Sequence, residues 1–310
     1  MNLLIILNKA EWIKQSLESE FPGLAIHAVE KEEQALDIID GIDILVAFRL
    51  SNSMLEKATN LKWIQAVTAG VDSFLDQPAL RKELIITSAS GMHGPQMSEM
   101  AILFMLAFNR NFPRNVKNQS NRIWERWPAR LLSKKNVGIL GVGKIGQEIA
   151  RKCKAFDMIV YGINRSYRDL ECLDYYYAPG ELLNVIGELD YFISVLPSTP
   201  QTRNMIGMKE FSVMKPSAFF INMGRGDAVN ETDLIEALKT GKIAGAGLDV
   251  FFREPLPPES PLWEMENVMI TPHVGGVSDI YIEQALPIVR ENLRRYLNHE
   301  QKDLINLIEH

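Results

Sequence analysis

The stretch Asn136-Val-Gly-Ile-Leu-Gly141-Val142-Gly143-Lys144-Ile145-Gly146 decides how the rest of the chain is read. Val137–Leu140 is a short apolar run of the kind that forms a buried strand, and the three glycines follow it directly, opening a helical pattern at about 144–155. Alone, G-x-G-x-x-G is a weak signal, because glycines gather in many turns. Between a strand and a helix it has a physical purpose. Gly141 makes the tight turn, Gly143 lets a pyrophosphate approach the backbone, and Gly146 lets helix pack on strand. The phosphates then rest on free amides at the helix amino end, with Val142, Lys144 and Ile145 completing the cradle.

Outward from this turn, the second half of the chain alternates. Strand-like runs at Asn136–Leu140, Met158–Gly162, Asp190–Val195, Ala218–Asn222, Ala244–Asp249 and Val268–Thr271 are separated by helical patterns near 144–155, 181–187, 208–214 and 230–240. Asn230 is placed to cap the last helix, with Asp233 three residues on and Gly241 just past its end. The first half repeats this architecture in a different sequence: Leu3–Leu7, a helix to about Glu20, Leu24–Val29, helix 31–39, Asp43–Ala47, helix 51–59, Trp63–Val67 and Leu84–Thr87. Strands joined by single helices imply βαβ units and parallel sheets. A long apolar helix opened by Pro95 spans 95–112, and the proline-rich run 255–262 reads as a loop. Asn109–Pro128, polar and arginine-rich with Trp124 and Trp127, reads as an exposed arm. An amphipathic helix near 278–297 returns to the first half. The expected fold is therefore α/β, with two doubly wound parallel-sheet domains, one over 1–98 plus 280–310 and one over 99–279.

A chain of 310 residues with 46% hydrophobic content suits two packed cores and excludes disorder. Its longest apolar run, Met100–Phe108, has nine residues, against the ~20 of a membrane-spanning helix. The net charge of −6, with Lys and Arg scattered, argues against nucleic acid or an anionic membrane as partner. Two cysteines, Cys153 and Cys172, and five histidines without ligand spacing lead us to expect neither a disulfide framework nor a metal site. The first apolar run has no basic segment before it and reads as a buried strand rather than a signal peptide, so the cytoplasm is the expected setting.

Three further stretches carry chemistry. Eighteen residues after Gly146 come Asn164, Arg165 and Ser166, with Arg168 close behind. An acidic residue at this strand end would accept hydrogen bonds from the adenosine ribose hydroxyls. With no carboxylate to repel a 2′-phosphate and a guanidinium placed to receive one, NADP is favoured over NAD. An Arg165 that only pointed into solvent would leave both accepted. Ile221-Asn-Met223-Gly224-Arg225-Gly226-Asp227 ends an apolar strand in an arginine between glycines, at the sheet end where ligands bind. Its planar fork suits the carboxylate and carbonyl oxygen of a 2-oxo acid, although Arg225 alone reads equally well as solvated. Ile270-Thr-Pro-His273-Val-Gly-Gly276 places a candidate general acid at another strand end. Taken alone His273 reads as structural. Glu254, in Leu248-Asp249-Val-Phe-Phe-Arg-Glu254-Pro255, changes that, because a bonded carboxylate fixes the imidazole tautomer and raises its pKa from ~6.5.

Together these segments resemble the D-isomer-specific 2-hydroxyacid dehydrogenase family. The resemblance covers nearly the whole chain, is dense from Val137 to Gly276, and includes Leu196-Pro197-Ser-Thr-Pro-Gln-Thr202. It implies a Rossmann nucleotide-binding domain over 99–279 and a flavodoxin-like substrate domain formed by 1–98 and 280–310. It implies a catalytic triad of Arg225, Glu254 and His273, with Asp249 holding the nicotinamide carboxamide. Leu196, Pro197, Thr202, Met223 and Gly224 line the cofactor path, which His273 faces. Thr68-Ala69-Gly70-Val71-Asp72 resembles the loop whose backbone amides bind the substrate carboxylate. Ser90–Glu99 matches the entry to the interdomain helix, where Met92 and His93 serve either as a hinge or as substrate contacts.

Asn164-Arg165-Ser166 resembles the NADPH-dependent glyoxylate/hydroxypyruvate reductase branch. Val195 stands where many members have histidine or another polar residue. With no regulatory domain of ~80–100 residues expected after position 310, the longer phosphoglycerate dehydrogenases are expected to be a poor match. Formate dehydrogenases have glutamine at the position of Glu254. The expected activity is thus reduction of a small 2-oxo acid, glyoxylate or hydroxypyruvate, to the D-2-hydroxy acid, with NADPH preferred and NAD possible. The alternatives are an NADH-linked D-lactate or phosphoglycerate-type dehydrogenase and a dinucleotide-sensing corepressor-like protein. Family members usually form homodimers through the nucleotide domain, and the Trp124/Trp127 arm fits such a contact.

Overall fold

Leu3-Leu4-Ile5-Ile6 shows how the sheets are built. Leu3 and Ile5 point to one face, Leu4 and Ile6 to the other, and both faces are buried under helices. The structure, a computed structural model, describes residues 1–309. It divides into two units, Met1–Met92 with the chain from Ser278 onward, and His93–Val277.

In the first unit, β1 (Asn2–Ile6), β2 (Ala25–Val29), β3 (Ile44–Ala47), β4 (Trp63–Ala66) and β5 (Ile85–Thr87) run parallel in the order β2-β1-β3-β4-β5. This is the flavodoxin-like winding. Ile13 and Leu17 of helix Ala10–Glu18 and Val289, Leu293 and Tyr296 of helix Tyr281–Leu297 cover one face. Met54, Leu55 and Phe74 cover the other. The expected helix over 31–39 is instead two 3-10 turns, Glu32–Ala35 and Ile39–Gly41. Only Ala35 and Ile39 there are fully buried, too thin an apolar stripe to hold a regular helix.

The C-terminal helix is fastened by a buried polar network as well as by apolar contact. Trp63 stacks on Tyr296 with ring centroids 4.7 Å apart, and its Nε1 donates to the Thr87 hydroxyl at 2.9 Å. That hydroxyl donates to Gln65 Oε1 (2.8 Å), which also accepts from Asn292 Nδ2 (2.7 Å). Asn292 further accepts from the Ile305 amide at 2.6 Å, and the tail then bridges Leu307 to Thr87 on β5.

In the second unit, β6 (Asn136–Leu140), β7 (Ile159–Ile163), β8 (Tyr175–Tyr177), β9 (Tyr191–Ser194), β10 (Phe219–Asn222), β11 (Gly245–Leu248) and β12 (Val268–Ile270) are all parallel. Their order is β12-β11-β10-β9-β6-β7-β8, the dinucleotide-binding winding with one strand added. Three successive tyrosines form β8, which shows no apolar alternation; aromatic β-preference is its one local signal. Helix Gly94–Asn109 lies wholly within this unit, because Met97, Phe104 and Met105 join Val137, Ile139, Ile193 and Ile221 in one core. The division between the two units falls at 92/93 and 277/278. The helix expected over 95–112 stops at Asn109. Asn111 adopts a left-handed φ of 52°, and Pro113 opens a second helix, Phe112–Asn121, none of whose residues is buried. Beyond it Trp124 is 89% exposed, and the Arg114 guanidinium lies 5.2 Å from the Trp127 ring centroid. Among the described residues, no helix is long and apolar enough to cross a membrane.

Replacing Asn292 by alanine removes a donor and an acceptor from a fully buried position, strands the Ile305 amide and leaves Gln65 with Thr87 as its remaining donor. Its unfolding free energy in urea should fall by about 1–3 kcal/mol. An unchanged midpoint would show that the network does not fasten the helix.

Candidate active site

At the carboxyl end of β6 the glycine turn is dictated by geometry. Gly141 has a φ of 100°, a conformation L side chains rarely adopt, and a Cβ on Gly146 would lie 2.2 Å from the Gly141 carbonyl oxygen. Helix Lys144–Ala155 starts from Gly143, where a Cβ would meet nothing within 4 Å. Open space at the positive end of a helix is what a pyrophosphate requires, so these residues fit a dinucleotide.

The turn after β7 is exposed and shaped by three bonds. The Asn164 amide donates to the Tyr177 carbonyl (3.1 Å), Asn164 Nδ2 donates to the Ser166 carbonyl (3.0 Å), and the Tyr176 hydroxyl donates to the Asn164 carbonyl. Past β9, the Thr202 hydroxyl closes its loop by donating to the Pro197 carbonyl at 2.6 Å. Ser198 ties that loop to the Arg225 turn through a 2.6 Å bond to Asp227.

The reactive side chains come from the ends of β10, β11 and β12. Asn222 Nδ2 donates to the Arg225 carbonyl (3.1 Å), and Arg225 Nη1 donates to the Gly224 carbonyl (2.9 Å). A Cβ on Gly226 would lie 1.9 Å from the Phe251 carbonyl, so backbone passes directly against backbone. Glu254 Oε1 accepts from the Phe251 amide at 3.0 Å, and Oε2 meets His273 Nδ1 at 2.7 Å. His273 itself has a left-handed φ of 53°. Its amide donates to the Asp249 carbonyl (2.9 Å), while the Asp249 carboxylate accepts from Thr271 Oγ1 (2.5 Å) and from the Val274 and Gly275 amides (both 2.9 Å). Asp249 is 1% exposed, so it organises the His273 loop from within the protein.

The charges reinforce this arrangement. The bond to Glu254 raises the His273 pKa above its usual value; burial and the Arg225 cation oppose this, and the Glu254 and Asp249 charges support it. Burial pulls Glu254 upward, but the His273 bond, the Phe251 amide and the charges of His273 and Arg225 outweigh it, and the net shift is downward. His273 therefore contributes stability that is present at low pH and lost as pH rises through its raised value. The Glu254 contribution is present at high pH and lost as pH falls through its lowered value. The pair is ionised together between these limits. His93, by contrast, is buried and pushed down to about 4 by desolvation, so it is neutral near pH 7. It packs beside Gly276, whose added Cβ would lie 3.2 Å from its ring.

In the first unit, Thr68–Val71 follows β4. The Thr68 hydroxyl donates to the Gly70 carbonyl at 2.6 Å, and among the described residues the Ala69, Gly70 and Val71 amides find no acceptor. Asn222, Asp227, Ser198 and Tyr176 all shape the site without belonging to an expected motif role. For Asn222 the available signal was a polar residue closing an apolar strand.

Residues 102–275 match the family described as D-isomer specific 2-hydroxyacid dehydrogenase, NAD binding domain. The chain is 33% identical over 287 residues to a D-3-phosphoglycerate dehydrogenase of Methanocaldococcus jannaschii, an alignment covering 89% of this chain and 54% of that protein. It thus spans about half the length of that relative. A D-isomer specific 2-hydroxyacid dehydrogenase family protein from Aeromonas salmonicida has the same fold with a TM-score of 0.90 and 35% identity, covering 99% of this chain and 98% of that one. An NADPH-dependent glyoxylate/hydroxypyruvate reductase from Sinorhizobium meliloti, solved with NADP and sulfate, gives a TM-score of 0.85 at 28% identity, with 99% and 98% covered. The chain belongs to the D-isomer-specific 2-hydroxyacid dehydrogenase family, whose members are nicotinamide-dependent oxidoreductases.

In a Glu254→Gln variant, His273 should titrate at lower pH than in the wild type, read from its ring resonances by NMR. An unshifted titration would mean that Glu254 does not raise the imidazole pKa.

Proposed function

We propose that this protein reduces a small 2-oxo acid, glyoxylate or hydroxypyruvate, to the D-2-hydroxy acid, with NADPH preferred over NADH. The observation carrying this reading is the 2.7 Å His273–Glu254 pair beside Arg225, at adjoining strand ends of a unit built to hold a dinucleotide. A bound reduced dinucleotide supplies the hydride. Arg225 grips the carboxylate and the C2 oxygen of the acid; in the first unit, the Ala69, Gly70 and Val71 amides are assigned to binding a carboxylate. His273, charged through Glu254 at Nδ1, donates its Nε2 proton to the C2 oxygen as the carbonyl is reduced. Asp249 holds the loop that carries His273 and is assigned the nicotinamide carboxamide. Gly141–Gly146, Leu196, Pro197, Thr202, Met223 and Gly224 form the cofactor bed, with 93–277 as the nucleotide unit and the other unit binding substrate.

Support for NADPH comes from the exposed Asn164-Arg165-Ser166 turn, which has no carboxylate, and from the NADP bound by the Sinorhizobium meliloti reductase. Similarity to the phosphoglycerate dehydrogenase favours a second reading, an NADH-linked dehydrogenase of that type. Oxidation of NADPH and NADH, measured against a panel of 2-oxo acids, separates the two. Under the proposal, His273→Ala lowers turnover about 10²- to 10⁴-fold while cofactor binding persists. Full activity in that variant would show that the proton comes from elsewhere. No turnover with any acid, despite cofactor binding, would favour a sensing role instead.

We assign the protein to the cytoplasm and to a homodimer formed through the nucleotide unit. Phe112, Val116, Ile123, Trp124 and Leu131, all exposed along one arm, support the second assignment. Sedimentation at micromolar concentration should give a dimer that Trp124→Glu weakens; a wild-type monomer would refute it.

A further inference from the structure

We propose that Tyr176 is a positioning residue for cofactor choice: its hydroxyl holds the Asn164-Arg165-Ser166 turn in the conformation that presents Arg165 and Ser166 to a 2′-phosphate. This rests on the reading of that turn as the 2′-phosphate site.

The argument begins with the register of β8. Tyr176 pairs with Gly162 on β7, and paired residues of parallel strands face the same side. A Cβ on Gly162 would lie 3.2 Å from the Val142 side chain, so this is the face on which the glycine turn sits. Tyr175 and Tyr177 face the other way and stack on Tyr161, with ring centroids 4.8 and 6.3 Å apart. Tyr176 is thus the one member of the tyrosine run placed on the side of the dinucleotide cradle. Tyr167, from the loop beyond Ser166, meets it edge-on at 4.9 Å and 88° and confines the ring.

The hydrogen bonds explain what the ring is for. The half-buried Tyr176 hydroxyl donates to the main-chain carbonyl of Asn164, while the Asn164 amide donates to the carbonyl of Tyr177. Two neighbouring residues of an edge strand therefore grip Asn164 at both its amide and its carbonyl. The Asn164 side chain then bonds the Ser166 carbonyl, which passes the constraint across Arg165. A guanidinium fork recognises phosphate through directional paired bonds, so its affinity depends on how well its backbone is aimed beforehand. Arg165 and Ser166 are themselves exposed, and β8 supplies the rigidity their own turn lacks.

Tyr176→Phe keeps the ring and removes only the donor. Tyr175→Phe is the control, because that ring stacks on the opposite face. Binding of 2′-phospho-AMP and of 5′-AMP is measured by calorimetry on the full chain, with Arg165→Ala alongside. Tyr176→Phe should weaken 2′-phospho-AMP roughly three- to tenfold, the scale of one hydrogen bond, and leave 5′-AMP unchanged. KM for NADPH should rise with kcat and KM for NADH unmoved, and Tyr175→Phe should change nothing. If Tyr176→Phe weakens both nucleotides equally or neither, while Arg165→Ala selectively loses 2′-phospho-AMP, the positioning role is overturned and the 2′-phosphate reading stands. If Arg165→Ala is equally indifferent to the 2′-phosphate, that reading falls and the proposal with it.

Discussion

Where β10 and β11 end, the main chain of the Arg225 turn is pressed onto the main chain after Asp249. A methyl group at Gly226 would overlap the Phe251 carbonyl at 1.9 Å, and one at Gly224 would lie 2.4 Å from the Leu196 carbonyl oxygen. Only two glycines let an arginine stand between these segments. The contact draws the Arg225 cation near enough to act on both Glu254 and His273, and it sets the Leu196–Thr202 loop against the same turn. The reactive spacing thus follows from steric exclusion before any charge is considered.

The electrostatics are built on that spacing. Non-glycine residues with positive φ are disfavoured by about 1–3 kcal/mol, and His273 is one of them. The surrounding bonds over-determine its position: its amide on the Asp249 carbonyl, and the Val274 and Gly275 amides on the buried Asp249 carboxylate. The imidazole meets Glu254 at 2.7 Å, and that one short bond both orients the ring and favours its protonated form. His93 lies beside the same loop, where burial disfavours its charged form. Two histidines in one neighbourhood are thereby shifted in opposite directions, His273 upward by its bond to Glu254 and His93 downward by burial.

The parallel winding explains why these groups meet at all. Every strand of the second sheet points the same way, so the glycine turn, the Asn164 turn, the Pro197 loop, Arg225, Glu254 and His273 all leave from its carboxyl end. The sheet order runs from β8 beside the Asn164 turn to β12 before His273. A dinucleotide laid across the glycine turn would accordingly have its adenosine end on one side of β6 and its reacting end on the other.

Much of this was legible in the chain itself. Alternating apolar runs and helices announced parallel α/β units, and Gly141–Gly146, Gly224-Arg225-Gly226, Glu254 and Pro272-His273-Val274 each sit in a local pattern whose chemistry is readable without coordinates. Their meaning is local, set by backbone conformation within a few residues. Other features were not legible, because they arise between segments far apart in sequence. No local pattern tells β8 from a tyrosine-rich loop, since its partner β7 decides the matter. Nor does any pattern show that helix Gly94–Asn109 belongs wholly to the second core, which depends on the side chains it meets. The sequence by itself determined the winding of the sheets and marked the candidate groups, because periodicity and turn chemistry are short-range. Only tertiary structure decided how closely Glu254 meets His273, that Asp249 gathers the amides of the His273 loop, and which tyrosine faces the cradle. Those are questions of distance and facing, settled by how strands register and backbones pack.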